Sequence, residues 1–480
     1  MTSTAESPAL ANLIDELGNV PHSTDLRQLK AKSRDRFAQS PVLREVMRGR
    51  IADIYIAPRS KEELRVAVAS CARNRVPITV RGGGTGQFGQ AVPLSGGAVI
   101  DVTGITGVTA RRHGTVRALC GTLVSDIDAE IRPAGWELRM HPSTAKQATI
   151  GGYLAGGHAG IGSCQWGILR DRGNIVALEV MTVEEEPRLI EVVGSDVNIV
   201  HHAYGANGII TEVELPTAPA WNWQELVISF PDFAAAARFS VDLCESEGVL
   251  KKLVSIHQDP LPTYFRELAD FIPSGHSMVL AMVAEQYLPN VEDLVAENGG
   301  SIRNCSPEGT GSYGIPIYEF TWGHAMMNFQ RVNRSLIGQL ALFPKESLYE
   351  TIVRINHDFA DLGPMHLEMK RFDGALSAQG SPVWEFESQE QMAEITRRLE
   401  EAGLVIANIH TPTLAAGGMK PWSDAESSLK RATDPYGLLA QGKSDDVTEN
   451  EVTTSTALPS SGWSYRLTAP GSARHLGDTP

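Results

Sequence analysis

The chain has 480 residues, enough for about two or three domains at roughly 150 residues each. Hydrophobic residues make up 42% and charged residues 21%, ordinary globular usage that excludes wholesale disorder, collagen and a coiled coil. The 42 Lys and Arg against 57 Asp and Glu leave a net charge of −15, a poor match to a nucleic-acid backbone or an anionic membrane surface.

The N-terminal residues Met1-Thr-Ser-Thr-Ala-Glu-Ser-Pro lack the basic and apolar stretches of a secretory signal. No run approaches the roughly 18 apolar residues of a membrane helix. The five cysteines (Cys71, Cys120, Cys164, Cys244, Cys305) are odd in number, far apart and without a CxxC, so neither a disulfide framework nor a thiolate zinc site is expected. The expectation is a soluble cytoplasmic protein with no nucleic-acid and no membrane partner. A homodimer stays open.

In chain order, residues 1–46 read as a helical lead-in. Residues 51–57 read as a strand. Ser60-Lys61-Glu62-Glu63 reads as a capping box opening a helix to about Asn74, and 77–81 reads as a second strand, to be paired in parallel with the first. A glycine-rich loop, a strand over 98–102, another over 115–120 and a helix from about Thr122 to Ile131 follow. A second glycine zone covers 149–162. Strands are expected at 175–183, 188–193 and 208–215, the last closed by Pro216, with a boundary over 216–220. Beyond it come strands at 226–230, 278–284 and 366–371. Helices are expected at 232–247, 290–298 and from the capping box Ser388-Gln-Glu-Gln391 to about Ala402. Residues 446–480 are rich in Ser, Thr, Pro and Gly and read as a flexible tail.

The segment Arg81-Gly82-Gly83-Gly84-Thr85-Gly86-Gln87-Phe88-Gly89 carries the most chemistry. Glycines after a strand bring main-chain N–H groups close to a phosphate, and Arg81 can add charge. Gly84, Gly86 and Gly89 also fit GxGxxG, but that motif needs a helix directly after it. Here Gln90-Ala-Val-Pro93 breaks the chain, and the next strand begins within about ten residues, too few for a crossover helix.

Four segments together resemble a known family. They are 81–89; His141-Pro142-Ser143-Thr144 with Ala148-Thr149-Ile150-Gly151-Gly152; Tyr204-Gly-Ala-Asn-Gly208-Ile209-Ile210-Thr211; and 429–443, which reads LKRATDPYGLLAQGK. In order and spacing they resemble the vanillyl-alcohol oxidase / p-cresol methylhydroxylase (PCMH-type) flavoproteins, with the glycolate oxidase / D-lactate dehydrogenase-like branch the nearest in look. The resemblance implies an α+β fold: a PCMH-type FAD-binding domain of two α/β subdomains (47–218), an α+β cap with an antiparallel sheet (219–415) and a C-terminal return to the FAD domain (416–445). It implies that Arg81, Gly82, Gly83, Gly84, Thr85, Gly86 and Gln87 wrap the pyrophosphate. Pro142, Ser143, Thr144, Thr149 and Gly152 would line the cofactor's path, with Gly156, His158 and Gly160 packed against the flavin. Ile209 and Ile210 would sit near the adenine, and Lys443 belongs to the closing motif. Covalent members of the family usually carry a histidine where Thr85 stands, so non-covalent FAD is expected.

On the substrate side, period-2 alternation puts His366, Glu368 and Lys370 on one strand face and Leu367, Met369 and Arg371 on the other. The first face is either a polar cavity wall or a solvated charge ladder. Tyr318, Trp322 and His324 could stack on a substrate and handle a proton, or be core residues. Asn408 and His410 form a third candidate pair. The branch's "H.GDGN.H" and "EH" metal ligands have no counterpart in Leu362-Gly-Pro-Met-His366 or Ile409-His410-Thr-Pro, so no metal is expected and metal-assisted hydroxy-acid oxidation is disfavoured. The reading is an FAD-dependent oxidoreductase taking a hydride from a C–O or C–N centre of a small organic substrate to flavin N5. His366 or His324 would be the base, and Lys370 or Arg371 would balance charge. The electron acceptor is unassigned, with dioxygen one candidate. The alternatives are a flavoprotein of the same fold running a bond-cleaving or non-redox reaction, and a binding protein with an inactive FAD site.

Overall fold

The run Ala98-Val99-Ile100-Asp101 is buried along its whole length, which suits the middle of a parallel sheet and explains the first departure from the sequence reading. The computed structural model describes residues 8–157 and 159–444; His158 and the 446–480 tail lie outside the described residues. The first sheet holds β1 (His22–Ser23), β2 (Ile54–Ile56), β3 (Ile78–Arg81) and β4 (Ala98–Asp101) in the order β1-β2-β4-β3. β2 and β3 are parallel members of one sheet, but β4 runs between them rather than at an edge. The helix Lys61–Arg73 packs on this sheet through Leu64, Ala67, Val68, Cys71 and Ala72. Its Ser60 cap accepts from Glu63 N–H, while Glu63 reaches back to Arg59 N–H at 2.7 Å, one residue further out than a capping box requires. The Ser388 cap behaves the same way, with Gln391 accepting from Glu387 N–H at 2.9 Å.

The second sheet is antiparallel: β5 (Val108–Arg112), β6 (Thr115–Leu119), β7 (Trp136–Leu138), β8 (Ala177–Met181), β9 (Leu189–Val193) and β10 (Ile209–Pro219). The sequence reading closes the last strand at Pro216; instead β10 runs on through both prolines. Its pairing with β8 ends at Glu214. The prolines therefore fall where one edge needs no N–H donor. On the other edge β10 passes from β6 to β7. Near the C-terminus, Ile78 N–H donates to Leu438 O and Ala440 N–H to Ile78 O, both at 2.8 Å, so residues 438–440 extend the edge of β3.

The third sheet is antiparallel throughout. It comprises β11 (Trp223–Phe230), β12 (Lys251–His257), β13 (Ser277–Ala284), β14 (Ser301–Pro307), then, past the short β15 (Leu336–Ile337), β16 (Leu340–Leu342), β17 (Met365–Phe372), β18 (Ala375–Pro382) and, past β19 (Trp384–Glu385, the partner of β15), β20 (Val405–Ala407). Its order is β14-β11-β13-β12-β17-β18-β16-β20. Helices Phe233–Glu245, Leu348–Asp358 and Gln389–Glu401 bury one face through Phe239, Ile352 and Ile395, where Leu367 and Met369 join the core. The α+β architecture expected from the sequence is thus present, with the opposite face of β17 left to polar residues. No helix among the described residues is long and apolar enough to cross a membrane.

Candidate active site

The first glycine loop follows β3 and meets the second glycine segment so closely that side chains are excluded. A Cβ on Gly82 would lie 2.1 Å from Thr149 Oγ1, and one on Gly83 would lie 1.9 Å from the carbonyl oxygen of Gln147. Gly84 adopts φ +64°, which favours glycine. Between these loops and residues 204–210 lies a cavity. Its lining includes Gly82, Gly83, Gly84, Thr85, Gly86, Gln87, Pro142, Ser143, Thr144, Thr149, Gly152, Gly156, Ile209 and Ile210, together with Gly323 and His324 from the cap. Among the described residues, no Asp, Glu, Lys or Arg lines it. A channel with a stretch of bare backbone at 82–84 and 86 and without a carboxylate, in a chain of net charge −15, suits an anionic diphosphate held by main-chain N–H groups.

Three expected cofactor residues sit behind this wall. Arg81 donates to the carbonyls of Lys32, at 3.2 Å, and Arg34, so its guanidinium braces the loop from the lead-in side. Gly160 gives its N–H to Ser163 Oγ at 2.9 Å. Lys443 is fully buried and donates to the Gln90 carbonyl, and burial lowers its pKa to about 7. Gln90 lines the cavity, so Lys443 acts on it indirectly. Sequence reasoning missed Tyr153 and Tyr204 in the lining, and also Arg36. Arg36 N–H donates to Gly86 O at 2.7 Å, and its side chain reaches Gln147 Oε1 at 2.6 Å and His324 Nε2 at 3.0 Å. No local pattern around Arg36 announces these contacts.

A second cavity shares Gln87, Phe88, Gly156, Gly157, Ala159 and Gly323 with the first and is closed by the polar face of the cap sheet. Glu368 on β17 lines it and is 3% exposed. Its Oε1 accepts from Ser255 Oγ at 2.9 Å and from Trp322 N–H at 2.5 Å, while its Oε2 is buried with no partner. Burial raises the carboxyl to about 8 against these two donors, which lower it. Trp322 holds its N–H in place with φ +53° and ψ −137°, a backbone region costly for any residue but glycine.

His366 also lines the second cavity. Its Nε2 lies 3.5 Å from Glu368 Oε1, its Nδ1 lies 3.3 Å from Ile256 O, and its ring stacks on His257 at 4.7 Å. Burial lowers it to about 4, so it is neutral near pH 7. His410 lines the cavity as well, with Nδ1 2.8 Å from Ser40 Oγ and Nε2 without a partner; burial holds it at about 4.

The other expected residues are placed differently. Lys370 is buried outside the lining and donates to Gln379 Oε1, and burial lowers it to about 7. Arg371, on the helix side, donates to Cys164 O, Cys244 O and Glu247. His324 lines the first cavity, but Nε2 accepts from Arg36 and Nδ1 lies 3.0 Å from Glu319 Oε2, so both ring nitrogens are engaged. Tyr318 is buried edge-on to His141 at 4.9 Å and lines neither cavity.

A glycine-rich channel that shares six residues with a side-chain-built cavity under an antiparallel sheet suits a flavin dinucleotide. Residues 52–187 match the FAD binding domain family. Over 422 residues the chain is 23% identical to the glycolate oxidase subunit GlcD of Bacillus subtilis, covering 82% of this chain and 88% of that protein. It is 27% identical over 175 residues to a D-lactate dehydrogenase of Anaerostipes hadrus, covering 35% of this chain and 37% of that protein. A solved alkyldihydroxyacetonephosphate synthase shares the fold, with a TM-score of 0.67, 15% identity and coverage of 90% of this chain and 85% of that one. Residues 52–187 are thus an FAD-binding domain of the PCMH type, homologous to glycolate oxidase GlcD and D-lactate dehydrogenase, and the cofactor is FAD.

Proposed function

We propose that this FAD-dependent oxidoreductase oxidises a C–O or C–N centre of a small organic substrate held in the second cavity, with Glu368 as the base. FAD, when bound, supplies the two-electron acceptor for the hydride leaving that carbon. The observation that carries the reading is the Glu368 carboxylate. Two donors fix Oε1 and leave Oε2 as the oxygen able to take the substrate's O–H or N–H proton. The base role expected of His366 or His324 passes to Glu368 in this proposal. The His324 lone pair is held by a guanidinium, and His366 is placed to orient the carboxylate from 3.5 Å. Lys370, through Gln379, adds positive potential behind the cavity wall. The six residues shared by the two cavities form the passage between substrate and cofactor.

The same geometry supports dissociable FAD. Among the described residues lining the first cavity, the one histidine is His324, with both nitrogens engaged, and the one cysteine is Cys120, whose thiol burial pushes up to about 12. Acid precipitation should leave the yellow chromophore in the supernatant; colour in the pellet would refute this. Anaerobic mixing with an oxidisable alcohol should bleach the bound flavin. Turnover without bleaching would refute the redox reading.

A further inference from the structure

The second cavity combines free polar atoms of both hydrogen-bonding senses with a lining that holds no fixed positive charge. Among its residues, Glu368 Oε2, Gln339 Oε1, His410 Nε2 and Trp322 Nε1 are buried without partners. Trp322 Nε1 can only donate, and Gln339 Oε1 can only accept. Among the described residues, no Lys or Arg lines the cavity. Two cations lie behind the wall: Lys370 donates to Gln379, and Arg170 donates to the Met419 carbonyl at 3.0 Å. A carboxylate entering here would lose its hydration, find no Lys or Arg in the described lining to replace it, and leave the acceptor Gln339 Oε1 unanswered, since it has no hydrogen to give. A hydroxyl or primary amide both donates and accepts, and answers every free atom.

Size points the same way. Glu368 lies on β17, and Gln339 immediately precedes β16, with β18 between them in the sheet. Two strand spacings set their backbones roughly 10 Å apart, so the cavity floor spans three strands. Phe88, Met326 and Leu340 give the lining its apolar surfaces.

We infer that the cavity takes an uncharged alcohol with an apolar body, carrying a hydroxyl or amide beside the reacting carbon where a 2-hydroxy acid carries its carboxylate. The inference rests on the oxidoreductase reading for the word substrate, though not for the ligand's chemistry. It separates this chain from relatives named for glycolate and D-lactate.

A matched series tests it. 1-Phenylethane-1,2-diol, mandelamide and mandelate share one skeleton and differ at the group beside the carbinol carbon; propane-1,2-diol and D-lactate form the short pair. Each is titrated into the holoenzyme anaerobically by calorimetry, with the flavin absorbance followed in parallel. The diol and the amide should bind at least tenfold more tightly than mandelate, and both short compounds should bind more weakly than the phenyl diol. Mandelate or D-lactate binding as tightly as its neutral partner would overturn the inference, as would no binding by any of the five. Neutral ligands that bind without ever bleaching the flavin would uphold the ligand class and sink the oxidoreductase reading instead.

Discussion

The two cavities touch through six residues, yet they are built from opposite materials. The first cavity is main chain where 82–83 meet 147–149: glycines packed so tightly that a Cβ there has no room, and no charged side chain in the described lining. The second cavity is side chain: a strand face carrying a carboxyl and a neutral imidazole, with a second neutral imidazole just past β20, all held far from their solution pKa values by burial. A large ligand bound in one fixed pose can be held by amides alone. Moving a proton needs an ionisable group on a rigid element. The largest expected effect therefore comes from filling the channel. In Gly83→Val the new Cβ would need the space of the Gln147 carbonyl, a backbone atom that cannot swing aside. The purified variant should be colourless and take up no FAD in a flavin-fluorescence titration. Full loading would show that the two loops do not grip the cofactor where the geometry puts it.

Breaking the other cavity should separate binding from chemistry. Glu368→Gln keeps the shape and removes the base. It should retain full FAD content while flavin reduction slows by roughly 10²–10⁴-fold, the usual worth of a general base. In the unmodified protein an ionised carboxylate is required, and its pKa is raised to about 8. The reduction rate should therefore climb with pH up to about 8 and level off above it, and in Glu368→Gln that slope should vanish. A variant as fast as the parent would return the base role to His366.

The contrast also explains what the sequence discloses. Glycine is demanded at fixed positions wherever backbones meet, so 82–86 and 149–152 are readable as a motif before any fold is known. The polar face of β17 is readable too, because strand alternation alone pairs His366 with Glu368 and opposes them to Leu367 and Met369. The groups that give those residues their chemistry are not. Ser255 lies 113 residues from Glu368, and Arg36 lies 288 residues from His324; the first contact exists only once β12 pairs with β17, and the second only once the lead-in packs against the helix that follows Trp322. The placement of Arg81 and Lys443 behind the lining is hidden for a related reason. A sequence shows their charge but not the carbonyls of Lys32, Arg34 and Gln90 that take up their donors. Tyr318 likewise turns to His141 instead of the cavity.

The smallest effect sharpens the comparison most. Ser255 Oγ donates to Glu368 Oε1 at 2.9 Å and lies 3.1 Å from His257 Nε2, so the imidazole N–H supplies the hydroxyl while the hydroxyl supplies the carboxylate. This bond and the one from Trp322 N–H favour the ionised form and oppose burial. Ser255→Ala removes one donor, so the Glu368 pKa must rise. A shift of about one unit is expected, since one unit corresponds to about 1.4 kcal/mol, the scale of a hydrogen bond to a charged group. The reduction rate should fall about tenfold below pH 8 and recover its parent value at pH 10, with FAD content unchanged. A side chain that merely filled space would lower the rate equally at every pH. A flat loss across the profile would therefore remove Ser255 from the proton-handling machinery and leave Trp322 N–H as the donor that sets the carboxylate.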